Sequence, residues 1–194
     1  MLRIVNLEEI NGILLRVPGL VDLQQSRGPG FAREVKAWLE SLEGTLKNNS
    51  MPVVSNVAAF RGMVVSAERG VIPQGVSFYG RPTLRKIKDT AATAALRAAV
   101  ELISNTIQPD MSKVTEAERR GRQIIALAKA KGFSLLLPNG PDRADALKTL
   151  WRTLATDPDI GPGTINVEGL VGPNDALIVL DRAIATDAHH PNTT

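Results

Sequence analysis

The chain contains no cysteine, and that gap removes disulfides, thiolate metal centres and cysteine nucleophiles together. Histidine is nearly as scarce. His189 and His190 are the only two, set in a polar tail ending Pro191-Asn192-Thr193-Thr194, which argues against histidine-based triads and internal histidine metal sites. Aromatic residues make up only 4% of the 194, so a core has to be built from Leu, Val, Ile and Ala. No apolar run approaches membrane-spanning length, and Met1–Glu9 lacks the uninterrupted apolar stretch of a secretory leader. The expectation is a cytoplasmic protein that does not insert in a membrane.

Familiar catalytic and nucleotide signatures are also missing. There is no Gly-Lys-Ser or Gly-Lys-Thr, and no serine in a Gly-x-Ser-x-Gly elbow. Gly28-Pro29-Gly30 and Gly161-Pro162-Gly163 read as turns, because neither follows a strand with the further glycine a dinucleotide site needs. Pro158-Asp159 followed by Glu168 resembles part of a metal-dependent nuclease pattern. It fails at the lysine, since none occurs after Lys148. Asp157, Asp159 and Glu168 are expected in turn-forming and capping roles, with a loosely held cation as the alternative. No metal, cofactor or catalytic residue is assigned.

What is present is helical periodicity. Hydrophobic content of 43% with 22% charged residues is that of an ordinary globular chain. The organising stretch is 81–108, with Leu84, Ile87, Ala91, Ala94, Ala98 and Leu102 on one face. Leu96, Val100, Ile103 and Ile107 make a second face, so this helix is enclosed by neighbours, and Pro109 is expected to end it. Before it come a short helix from Asn6 to Val17, a turn at 19–22, a stripe through Phe31, Val35, Trp38, Leu39, Leu42 and Leu46, and a helix from Pro52 closed by Gly70. A loop over 71–81 carries an extended piece at 76–79. After it, Thr115 with Glu118 reads as the capping box of another helix, antiparallel to the central one and ending at Gly132.

The fold expected is therefore mainly α, a multi-helix bundle over residues 1–132 with a small helical cap over 133–187. Phe133–Leu137 and Thr164–Val167 are candidate short strands in that cap, and 188–194 is a disordered polar tail. Trp38, Leu42, Phe60, Val64, Leu96, Val100, Ile103, Ile124 and Leu127 are expected to share one core.

Charge is segregated. Residues 61–90 and 113–132 each hold six cations against two carboxylates, while 133–194 hold four cations against eight. Arg81, Arg85, Lys86 and Lys88 crowd the front of the central helix, where the peptide dipoles disfavour cations by roughly 0.3–1 kcal/mol each. A phosphate would offset that cost. Phe78 and Tyr79 stand ready to stack on a base, and Gly75 and Gly80 allow close approach of backbone. Arg119, Arg120 and Arg122 form a second cluster. Two plainer explanations stand beside this one: acidic residues of the C-terminal third neutralise the cations, and Phe78 and Tyr79 plug the core. The leading functional expectation is a non-enzymatic interaction or accessory subunit of a larger assembly, binding a protein partner or a second copy of itself. The alternatives are a nucleic-acid backbone-binding module using the nine residues of the two clusters, and a small enzyme acting on a phosphorylated ligand.

Overall fold

A computed structural model describes residues 1–72, 74, 78 and 81–189. Eight helices and no strand occur among the described residues: α1 (Ile4–Leu14), α2 (Val17–Gln25), α3 (Phe31–Asn48), α4 (Val54–Glu68), α5 (Leu84–Ala130), α6 (Arg143–Thr156), α7 (Gly161–Val171) and α8 (Pro173–His189). No helix is long and apolar enough to cross a membrane. The chain forms two compact units, residues 5–108 and residues 1–4 with 109–194. The sequence division at 132/133 follows the end of α5, whereas these units divide at Pro109, inside that helix.

In the unit of residues 5–108, α3 is the spine. Phe31, Val35, Trp38, Leu39, Leu42 and Leu46 are all buried, as their spacing predicts. Each contributes roughly 1.5–3 kcal/mol by leaving water. The Trp38 indole N–H donates to the Ile13 carbonyl at 2.9 Å, and Thr45 Oγ1 to Glu9 Oε1 at 3.1 Å, so α1 is pinned along α3. Helix α4 packs against α3 and buries Val57, Val64 and Ala67. Gly70 closes α4 with φ +83, a left-handed value that a side chain disfavours. The Val71 N–H then reaches the Ser66 carbonyl at 3.2 Å.

In the other unit, the second half of α5 meets α8 at Gly121. A Cβ there would stand 2.6 Å from Val179 Cγ1, so only glycine permits this approach. Helices α6, α7 and α8 pack mutually around Leu147, Trp151, Leu154, Val167 and Leu180. The N-terminal residues belong here. Asp175, only 3% exposed, accepts the Ile4 N–H at 2.7 Å and the Arg3 Nε at 3.2 Å, while Asp110 Oδ2 accepts the Leu2 N–H at 2.9 Å.

Several expectations are corrected. The central helix does not stop at Gln108: α5 runs on through Pro109, and Thr115 caps nothing but donates to the Met111 carbonyl one turn back at 3.0 Å. The antiparallel pair drawn across that point is thus a single helix. Residues 17–25 form α2 with Pro18 in its first turn, where a missing N–H costs nothing. Neither candidate strand exists: 133–138 is irregular, and Thr164–Val167 lies in α7, which Pro162 opens. Of the expected common core, Phe60 and Val100 are half-buried, Leu127 is exposed, and Ile124 and Leu127 fall in the other unit. The tail residues 190–194 and the extended piece at 76–79, Phe78 excepted, lie outside the described residues.

Candidate functional site

The front of α5 is capped by Thr83, whose Oγ1 accepts the Lys86 N–H at 3.3 Å. By helical spacing, Leu84, Ile87 and Ala91 fall on one side of this front end, and Lys86, Asp89, Thr90 and Thr93 on the other. On the first side, Ile87 and Ala91 pack with Ala67, joined by Met63 and Phe78. Leu84 is half exposed and adjoins the end of α4, where its Cδ1 would lie 3.9 Å from a Cβ on Gly70.

The second side forms a cleft of about 720 Å³ with the end of α2. Leu23, Gln24, Arg27, Gly28 and Phe31 face Thr83, Arg85, Lys86, Asp89, Thr90 and Thr93 across it. Gln24 Nε2 donates to Thr93 Oγ1 at 2.6 Å, and an Arg85 guanidinium nitrogen donates to the Arg27 carbonyl at 2.5 Å. Arg27 holds φ +51, a left-handed value that costs a side-chain-bearing residue about 1–2 kcal/mol. Gly28 follows it because a Cβ there would collide with Leu23.

The predicted site residues divide as follows. Arg81 is exposed just ahead of α5, and Lys88 is half-buried. Arg85 lies 3.5 Å from Asp89 one turn on, an exposed pair of modest strength. The Lys86 ammonium sits 5.7 Å from the centroid of the Phe78 ring. Phe78 is thus a packing residue with a cation above it. Tyr79, Gly75 and Gly80 lie outside the described residues.

The second cluster is in the other unit. Glu116 accepts Arg119 Nε and Arg120 Nε at 2.7 Å each, and these two hydrogen bonds hold its carboxyl at about 2, against the usual 4.5. Arg122 is exposed and lines a recess of about 320 Å³ with Glu118, Arg182 and Thr186. The acidic C-terminal third does supply partners for the end of α5. Lys129 pairs with Asp187 at 3.0 Å, and Lys131 with Asp157 at 2.7 Å and Asp159 at 2.5 Å. Hydrogen bonding to those two aspartates raises the Lys131 pKa. Asp157 also accepts the N–H groups of Asp159 and Ile160 ahead of α7, and Glu168 takes the Trp151 indole N–H at 2.7 Å. Asp157 and Asp159 thus converge on one ammonium, while Glu168 is engaged by an indole. Among the described residues, no three His, Cys, Asp or Glu gather closely enough to hold a metal ion.

Sequence reasoning found Arg85 and Lys86 but missed the opposite wall, Leu23, Gln24 and Arg27. The usable signal was Pro18 two positions before Leu20-Val21, a helix opener instead of a helix end. Comparison with protein-family models, curated protein sequences and solved structures returns no match.

Proposed function

We propose that the chain acts as an accessory subunit that docks a partner protein on the apolar side of the α5 front end. The observation that carries this reading is the exposure of Val71, Ile72 and Leu84, each about half open to solvent, in chain segments that also carry exposed Arg69 and Arg81. Apolar area rimmed by polar and charged residues is the usual anatomy of an interaction surface. The partner this surface fits offers an apolar side chain flanked by carboxylates.

A nucleic-acid backbone fits less well. Arg119 and Arg120 share Glu116, and Arg85 is shared between Asp89 and a carbonyl, so part of the positive charge is already answered. The test compares the wild type with Leu84→Asp and Arg81→Glu in quantitative affinity capture from the host, alongside light scattering for self-association. The reading expects a stoichiometric partner, or a second copy, that both substitutions reduce at least tenfold. A wild type that stays monomeric and retains nothing beyond what Leu84→Asp retains would overturn it. Retention on heparin that Arg81→Glu abolishes would favour the nucleic-acid alternative instead.

A further inference from the structure

We infer that the cleft between α2 and α5 is a binding site for a small phosphomonoester carrying an apolar body. It lies on the side of α5 opposite Leu84, so the inference does not rest on the docking surface. Its volume, about 720 Å³, falls in the range of small-molecule sites. Three cations and one carboxylate line it: Arg27, Arg85, Lys86 and Asp89. Arg85 and Asp89 answer each other, which leaves Arg27 and Lys86 with no ion pair among the described residues. Neither meets a carboxylate, the Lys86 ammonium having only the Phe78 ring near it, and two such positive charges match the charge of roughly −1.5 to −2 on a phosphomonoester more closely than the single charge of a carboxylate. Thr83 Oγ1 accepts the Lys86 N–H and keeps its own proton to donate.

The apolar part of the ligand is called for by the rest of the wall. Leu23 and Phe31 line the cleft, yet α2 buries none of its residues, Leu23 included. Leu23 is half-buried, so part of its side chain is left for an apolar group entering the cleft. Arg27 stands at the cleft on a left-handed backbone that closes α2, the Gly28 N–H reaching the Leu23 carbonyl at 2.9 Å. Glycine would fill that position without strain.

Titration calorimetry and amide NMR with AMP, phenyl phosphate, decyl phosphate and inorganic phosphate test the assignment. At least one ester is expected to bind saturably, at least tenfold tighter than inorganic phosphate, and the preferred ester names the body as nucleoside, aryl or alkyl. Arg27→Gly should weaken that ester at least tenfold while the melting temperature stays the same or rises, a combination that a purely structural arginine would not give. Lys86→Ala should weaken it similarly, and Thr90→Phe, which fills the cleft, should abolish it. The assignment is overturned if no ester titrates at millimolar concentration, if inorganic phosphate binds equally well, or if folded Arg27→Gly or Lys86→Ala retains full affinity.

Discussion

The two units use cations in and beside α5 in opposite ways. In residues 109–194, Arg119 and Arg120 close on Glu116, Lys129 on Asp187 and Lys131 on two aspartates, so each has a carboxylate of its own unit. In residues 5–108, the front of α5 offers four cations in eight positions, and only Arg85 has a carboxylate among the described residues, at 3.5 Å. Residue type alone does not separate the two clusters. What separates them is which neighbours the fold supplies: two of the three arginines in the second cluster share Glu116, whereas in the first cluster only Arg85 meets a carboxylate among the described residues.

The comparison is broken most severely where the well-matched unit is held together. Asp175→Ala leaves the Ile4 N–H and Arg3 without their shared acceptor, and the expected loss is about 3 kcal/mol, read as a lower denaturant midpoint. Gly121→Val drives a side chain into Val179 and should cost about 2 kcal/mol by the same measurement. In the open cleft the sign reverses: Arg27→Gly relieves a left-handed backbone and should gain about 1 kcal/mol. The smallest effect sharpens the contrast through pH. Glu116 has its folded pKa lowered, so the stabilisation from its arginines is complete above the usual 4.5 and disappears as pH falls toward about 2. The stability difference between wild type and Glu116→Gln should therefore shrink steadily across that window in acid titrations followed by circular dichroism.

Much of the helical fold was legible because a 3.6-residue stripe survives any tertiary context. The stripe from Phe31 to Leu46 is one such case, and Gly70 and Gly132 end their helices with the left-handed turn their chemistry implies. Several failures turn on proline: Pro18 was read as a helix end and Pro162 as part of a turn, whereas each sits in the opening turn of a helix. Pro109 is tolerated inside α5, although an interior proline costs about 3 kcal/mol, because Val114 and Ala117 beyond it are buried and Asp110 beside it ties down Leu2. No local pattern announces that offset. The candidate site was half legible for a related reason: charge at a helix start shows in sequence, but the wall that turns charge into a cleft comes from α2, about 60 positions earlier.

The Asp175 clamp has a consequence for the order in which the molecule is made. The amide of Ile4 leaves the ribosome 171 residues before the carboxylate that will receive it. Helices α1 to α4 can therefore collapse while the chain's first turn is still waiting for its acceptor. Synthesis arrested short of α8 would yield a nascent chain in which the Ile4 amide has no Asp175 to receive it. Protection of those first few amides, followed on stalled chains of increasing length, is then a direct clock for completion of the fold.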